Sequence, residues 1–84
     1  MLTVREHPGY HGLFTRDEVL GAYRNGSRVT KTHAEPGDAH PNGATATVLG
    51  SIAHPDIGVA YFVEWDDKPT FAVLVVARRV TIAT

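Results

Sequence analysis

Short apolar stretches separated by turn residues occupy the chain from Gly26 to Thr84, and this pattern constrains the fold more than any other feature. The period of two is clearest from Ile57 to Trp65, where every second side chain is a large apolar one. The residues on this predicted core face are Val59, Tyr61, Val63 and Trp65. Because strands this short cannot bury their apolar faces alone, the pattern predicts several strands that pack around one core.

Four other stretches complete a predicted set of five strands, at residues 27–34, 44–53, 71–77 and 80–82. Their residues predicted to face the core include Val29, Ala46, Val48, Phe71, Val73 and Val75. The polar connection 35–43 contains two prolines and two glycines, which is typical of a long loop. Residues 66–69 are predicted to form a tight hairpin turn.

One short helix is predicted before the strands, from about Arg16 to Arg24. Thr15 is a good N-cap and Glu18 follows three residues later, which completes a capping box. Asn25 and Gly26 provide a left-handed stop. The apolar stripe of this helix would consist of Val19, Leu20 and Tyr23. So short a helix is not stable alone in water, and we expect it to pack on the sheet.

Apolar residues also occur on the second face of two strands, where a half-solvated sheet should be polar. These residues are Phe62, Leu74 and Val76. The favoured explanation is that the helix stripe packs on them, since an unpartnered helix and an unpartnered face would cover each other. The alternative is a second protein chain, which would make this face an oligomer interface.

Length and composition predict one domain, 1–84, and restrict its chemistry. The 84 residues include no cysteine, so disulfides, thiolate zinc sites and a cysteine nucleophile are excluded. No stretch approaches the ~20 apolar residues that cross a bilayer. We therefore expect a soluble, cytoplasmic protein without membrane contact, in which an irregular arm (1–13) and a helix (15–25) precede a barrel (27–84).

At this point the chain resembles the SH3-like small β-barrel modules, such as the KOW and Tudor domains and related bacterial modules. The segments that carry the resemblance are Gly26–Val29, Gly43 with Thr47–Gly50, Tyr61–Asp67 and Arg79–Val80. It covers residues 26–83 and implies neighbouring first and last strands and loops that bind other molecules. The expected fold is therefore mainly β, a five-stranded antiparallel SH3-like barrel with one short N-terminal α-helix.

The histidines and serines give little support for a metal site or an enzyme. His33, His40 and His54 could meet at one end of a barrel, but zinc needs about four converging ligands. His7 and His11 are separated by Pro8 and Gly9, which are unfavourable in a helix. We expect no metal and no other cofactor.

Nucleophilic and acid–base catalysis have equally weak signals. Ser51, His54 and Asp56 include the residue types of a catalytic triad but lie too close together along the chain. Asp66 and Asp67 are adjacent in a predicted turn, where aspartate is a normal residue. The sequence therefore favours a protein that is not an enzyme.

The charge balance counts against nucleic-acid binding without excluding it. Eight Lys and Arg oppose nine Asp and Glu, whereas nucleic-acid binders usually carry a basic excess. A basic patch would form if Arg28, Lys31, Arg78 and Arg79 converged on neighbouring first and last strands. The carboxylates of Glu35, Asp38 and Glu64 would weaken its field.

The function favoured by the sequence is a non-enzymatic binding or accessory module that recognises another protein through its loops and barrel face. The candidate binding residues are Arg28, Lys31, Arg78, Arg79, Glu35, Asp38 and Trp65. The resemblance implies that the loop from Glu35 to Gly43 walls one side of a groove, and a loop that merely connects two strands is the alternative. Trp65 is expected in the core, and the alternative is a partly exposed platform at the end of its strand. Nucleic-acid binding is the first alternative, and homo-oligomerisation through Phe62, Leu74 and Val76 is the second.

Overall fold

The computed structural model describes residues 4–6 and 18–83, and these residues form one five-stranded antiparallel sheet. The strands are β1 (Arg28–Lys31), β2 (Thr45–His54), β3 (Gly58–Trp65), β4 (Val73–Val76) and β5 (Val80–Ile82). Their order across the sheet is β4-β3-β2-β1-β5, so that β4 and β5 are the edge strands. The prediction of a mainly β fold with five antiparallel strands is confirmed.

The predicted closure into a barrel is wrong, because β4 and β5 do not pair with each other. β4 has four residues and β5 has three, and the 3₁₀ turn Ala77–Arg79 joins them directly. Strands this short leave few backbone groups with which to complete a ring of hydrogen bonds.

The core lies on one face of the sheet, which we call the core face. In the antiparallel register Val29 is opposite Ala46, Ala46 is opposite Trp65, and Val48 is opposite Val63. The buried cluster on this face consists of Val29, Ala46, Val48, Tyr61, Val63, Trp65 and Val80. Half-buried Val59 packs against it. The alternation of apolar residues in β3 and the inward residues of β1 and β2 were therefore predicted correctly.

A β-bulge changes the phase of β2 within the sheet. The register shifts between Val48 and Gly50, and Leu49, which lies at the bulge, is fully buried. Beyond the bulge Ser51 is opposite Tyr61, so its hydroxyl lies on the core face. This explains why apolar alternation is weak in the second half of β2.

The helix predicted over Arg16–Arg24 is absent from its described part, residues 18–24. Gly21 has φ of 84°, a left-handed conformation that an α-helix does not contain. The amide of Ala22 donates to the carbonyl oxygen of Val19 and closes only a single turn. Thr15 lies outside the described residues. No helix in the described part of the chain is long and apolar enough to cross a membrane.

Contacts with the sheet replace helical hydrogen bonds in this segment. The amide of Val19 donates to Ser51 Oγ at 3.0 Å, and the amide of Tyr23 donates to Tyr61 Oη at 3.0 Å. The rings of Tyr23 and Tyr61 stack with their centroids 5.5 Å apart. A helix of nine residues is only marginally stable in water, and these tertiary contacts outweigh the helical preference of the segment.

The predicted packing of the helix stripe on the second face is therefore also wrong. Tyr61 belongs to the core face, so Tyr23 stacks on the side of the sheet opposite Phe62. Leu20, another member of the predicted stripe, is 100% exposed. The turn at Gly21 directs the side chains of Leu20 and Tyr23 away from each other, whereas a helix would have placed both on one stripe.

Two strands are shorter than the sequence predicted. β1 ends at Lys31, and His33 takes φ of 53°, which turns the chain into the long loop. β4 begins at Val73, and Phe71 is 62% exposed and contributes nothing to the core cluster. The hairpin connection is extended by a second turn in which the amide of Phe71 donates to the carbonyl oxygen of Lys68.

Most of the predicted irregular arm, 1–13, lies outside the described residues. Its described part, Val4–Glu6, is a 3₁₀ turn. The amide of Val4 is 2.8 Å from both Glu64 Oε2 and the carbonyl oxygen of Pro69, and the Val4 side chain is buried. This turn therefore contacts the β3–β4 connection.

Candidate functional site: a cleft between β4 and the loop after β1

A cleft of about 260 Å³ lies between β4 and the loop after β1. One wall is the strand β4, Val73–Val76, and the other is formed by Asp38–His40 of the loop after β1. Trp65 contributes to the floor, and Lys31 and Arg79 line the remaining side. The site therefore combines an apolar strand with a charged loop.

The strand wall exposes backbone as well as side chains. Successive side chains of a strand point to opposite faces. Because all four residues of Val73–Val76 line the cleft, the cleft runs along the edge of β4 and not over one face of it. The opposite edge of β4 pairs with β3, from Val63↔Val73 to Ala60↔Val76.

Trp65 is the largest apolar group at the floor, and His40 covers it. The two rings are nearly parallel, at 13°, with centroids 4.2 Å apart. His40 Nε2 is also 2.9 Å from Asp67 Oδ1, which links the loop to the β3–β4 connection. Trp65 is only 3% exposed, which confirms its predicted core position. The alternative of an exposed aromatic platform is wrong, because this ring is a buried floor under the loop.

Asp38 holds the loop wall against β1. Its Oδ2 accepts from Lys31 Nζ at 3.1 Å and from the amide of Glu35 at 2.9 Å, and Arg79 Nη1 lies 3.5 Å away. The Glu35 amide and the Lys31 ammonium, in that order, lower the pKa of Asp38 below its ordinary value. The carboxylate therefore stays ionised at neutral pH and keeps its partners, including the 8%-exposed Lys31.

Arg79 fastens the beginning of the same loop. Its Nη2 is 2.8 Å from Glu35 Oε1, and its Nη1 donates to the carbonyl oxygen of His33 at 2.5 Å. The base of the loop closes through backbone bonds from the Gly43 amide to the Lys31 carbonyl and from the Lys31 amide to the Ala44 carbonyl. The loop wall is thus tied to β1 and to the turn before β5.

The four candidate cations of the basic patch are not all brought together. Lys31 and Arg79 share Asp38, but Arg28 lies at the other end of β1 and points to the opposite face. There Arg28 Nη1 donates to Asp66 Oδ1 at 2.7 Å and to Thr47 Oγ1 at 2.8 Å, and Nη2 pairs with Asp66 Oδ2. The hydrogen bond to Asp66 raises the pKa of Arg28. Arg78 is exposed on the 3₁₀ turn before β5.

The three candidate interface residues share the face opposite the core face. Phe62 is directly opposite Leu74, and Val76 is opposite Ala60. Phe62 and Val76 are half-buried, whereas Leu74 is 47% exposed. Leu74 and Val76 also line the cleft, which connects this face with the edge of β4. Glu64, the remaining carboxylate weighed against the basic patch, is buried in β3.

The described histidines do not form one cluster, and each contacts its own neighbours in the fold. His33 Nδ1 is 3.2 Å from the carbonyl oxygen of Arg78, and His54 Nδ1 accepts from the amide of Asp56 at 3.1 Å. Among residues 4–6 and 18–83, no group of three His, Asp or Glu side chains is arranged to hold a metal ion. His7 and His11 lie outside the described residues.

Two features of the cleft were missed by the sequence analysis. His40 was weighed only as a metal ligand, although an aromatic ring in a polar loop is also a signal for packing on another ring. The residues of β4 were assigned to the core and the opposite face, and nothing in their alternation indicates that their edge remains open. Both features depend on how the loop folds back over β3.

Comparison of this chain with protein-family models, curated proteins and solved structures found no match.

Proposed function

We propose that this protein is a non-enzymatic binding module that recognises another protein through the cleft between β4 and residues 35–43. The observation that carries the proposal is the combination of an apolar strand wall, Val73–Val76, with the floor at Trp65. Binding sites typically join apolar surface to a few positioned polar groups. The polar groups here are those of Asp38, His40 and Arg79.

The charges around the cleft favour an uncharged, apolar ligand group. Lys31 and Arg79 both interact with Asp38, and Arg79 also pairs with Glu35. A charged ligand would have to compete with these internal partners, whereas an apolar group gains from leaving water. The cleft is also smaller than the roughly 300–1,000 Å³ of typical small-molecule sites, and it suits one or two side chains of a protein.

The order of the strands supports an SH3-like module as the architecture behind this function. β1 pairs with β5, as expected if the first and last strands of such a module are neighbours. The loop after β1 lies over Trp65 and walls the cleft, the place that the resemblance gives to a ligand groove. The absence of cysteine fits a reducing compartment, and we propose that the module works in the cytoplasm.

A peptide selection tests this proposal. Random decapeptides displayed on phage would be selected on the immobilised protein, and the best binder would be synthesised and titrated. Trp65 is the one tryptophan of the chain, so its fluorescence reports on the cleft alone. We expect a saturable fluorescence change with a dissociation constant that rises about tenfold or more in Val73→Arg.

Ile57→Arg provides the matched control, because Ile57 is 44% exposed in the β2–β3 connection and Val73 is 40% exposed in the cleft. The control variant should bind the peptide as the unchanged protein does. Equal losses in the two variants, or failure to select any peptide that changes Trp65 fluorescence, would contradict the proposal.

Nucleic-acid binding receives less support from the same contacts. Of the four candidate cations, Arg28, Lys31 and Arg79 are each paired with a carboxylate. Neutralised cations release few counterions from a phosphate backbone, and this release supplies most of the affinity of nucleic-acid binders. We therefore keep protein recognition as the conclusion.

A further inference from the structure

We propose that the partner binds as an added β-strand along the outer edge of β4, with alternate side chains entering the cleft. This inference rests on the proposed function and specifies its ligand, an extended peptide segment with apolar residues at every second position. In such complexes backbone hydrogen bonds supply affinity, and pockets for alternate side chains supply specificity.

The outer edge of β4 lacks the charged residues and prolines that protect many edge strands. Within residues 4–6 and 18–83, β3 is the one strand that pairs with β4. Residues 71–77 contain no charge and no proline, although edge strands usually carry such residues to prevent unwanted pairing. The other edge strand, β5, is shorter and directly follows Arg78 and Arg79.

The cleft places this edge within reach of a ligand. It follows four consecutive residues of β4, so a ligand in it meets the backbone of the strand and not just one row of side chains. An extended chain in this position can exchange hydrogen bonds with the outer N–H and C=O groups of β4.

The opposite wall argues for a single peptide chain and against a second copy of this protein. Asp38–His40 face β4 across the cleft and are held by Lys31, Arg79 and Asp67. Another copy could pair its β4 only by bringing its own loop wall into the same narrow space. A peptide has no such flanking wall.

The two faces of β4 determine which side chains the ligand should carry at alternate positions. Residues that point to the core face would meet Val73, Val75 and Trp65 and should be apolar. Those that point to the other face would lie beside the 47%-exposed Leu74, where solvent remains accessible. We therefore expect alternation of apolar and unrestricted positions in the selected decapeptides.

N-methylation of the peptide tests the strand pairing directly. Two versions of the selected decapeptide would be made, with N-methyl groups on its even-numbered or on its odd-numbered amides. An added strand donates hydrogen bonds from every second amide. We expect one version to lose affinity about tenfold or more and the other to change by about threefold or less.

Amide hydrogen exchange, followed by NMR, would locate the pairing on the protein. Saturating peptide should slow the exchange of alternate amides within Val73–Val76 about tenfold or more and leave those of Val80–Ile82 unchanged. If all β4 amides are already protected in the free protein, its outer edge is not available and the proposal is overturned.

Matched variants complete the experiment. Val73→Lys puts a charge on the core-facing side of the proposed docking edge, whereas Ile82→Lys puts one on β5, and the two positions are 40% and 43% exposed. We expect Val73→Lys to weaken peptide binding about tenfold and Ile82→Lys to leave it unchanged. Equal effects in the two variants would overturn the proposal.

The outcomes separate this inference from the proposed function. A peptide that changes Trp65 fluorescence but tolerates both N-methylated versions would bind in the cleft without strand pairing, and only the present inference would fail. If no peptide binds in the cleft, both the present inference and the proposed function fail. A native mass of two chains that returns to one in Leu74→Lys would assign the edge to a second copy and overturn the peptide as its occupant.

Discussion

β4 and the loop 35–43 face each other across the cleft, and different interactions hold them in place. β4 is fixed by its backbone ladder with β3, which is independent of which side chains line the cleft. The loop is fixed by side chains, chiefly Asp38, His40 and Arg79. We therefore expect the strand wall to tolerate side-chain changes, whereas single substitutions or a fall in pH should loosen the loop wall.

Loss of the floor should have the largest effect, because Trp65 belongs to the core cluster and also carries the loop wall through His40. Trp65→Ala removes a buried indole and the ring on which His40 stacks, and we expect the free energy of unfolding to fall by about 4 kcal/mol. Urea unfolding followed by circular dichroism would measure this. A decrease in unfolding free energy of less than about 1.5 kcal/mol in Trp65→Ala would mean that Trp65 does not support the loop wall.

Loosening of the loop wall alone should have a smaller effect. Arg79→Ala removes the contacts to Glu35, Asp38 and the His33 carbonyl, and we expect a loss of about 1–2 kcal/mol. The neighbouring Arg78→Ala is the matched control and should change stability by less than about 0.5 kcal/mol, since Arg78 is exposed. Equal losses in the two variants would show that the pairing of Arg79 is not what holds the loop.

The loop wall should also respond to acid. The pKa of Asp38 is lowered in the folded protein, so its carboxylate stabilises the fold above about pH 4. This contribution disappears as the pH falls through the lowered pKa. The difference in unfolding free energy between the unchanged protein and Asp38→Asn should therefore be full at about pH 7 and decrease below about pH 4, as the pH falls through the lowered pKa. A difference that is independent of pH would contradict the assigned role of this carboxylate.

The smallest effect is expected just before the strand wall. Phe71 has the alternation of a core residue but is 62% exposed ahead of β4, so Phe71→Ala should cost about 0.5 kcal/mol or less. Val63→Ala, at a fully buried position that pairs with Val73, provides the contrast and should cost clearly more. A loss of about 3 kcal/mol at Phe71 would place its ring in the core after all.

The sheet was the predictable part of the molecule, because its signal is carried within each strand. Tyr61, Val63 and Trp65 alternate with less apolar neighbours, and a period of two places them on one face whatever the rest of the chain does. The helix prediction depended on an equally local signal, the capping box at Thr15 and Glu18. It failed because contacts of Val19 and Tyr23 with the sheet outweigh a weak helical preference.

The cleft could be predicted only in part. The resemblance implied that the loop after β1 walls a groove, and Asp38–His40 of this loop do line the cleft, whereas Trp65 was expected in the core and also lies at the floor of the cleft. The stacking of His40 on Trp65 and the sharing of Asp38 by two cations depend on tertiary geometry that no local pattern encodes. The separation of Arg28 from Lys31, in contrast, follows from the period of two, because residues three apart on one strand lie on opposite faces.

An NMR titration of the labelled protein tests the central claim most directly. The selected decapeptide and, separately, pooled short DNA and RNA would be added at low and at high salt. We expect the peptide to shift the amides of Val73–Val76 and His40 and the indole of Trp65 at both salt concentrations, and the nucleic acids to leave the spectrum unchanged. Shifts confined to Arg28, Lys31, Arg78 and Arg79 that appear with nucleic acid and vanish at high salt would contradict the account.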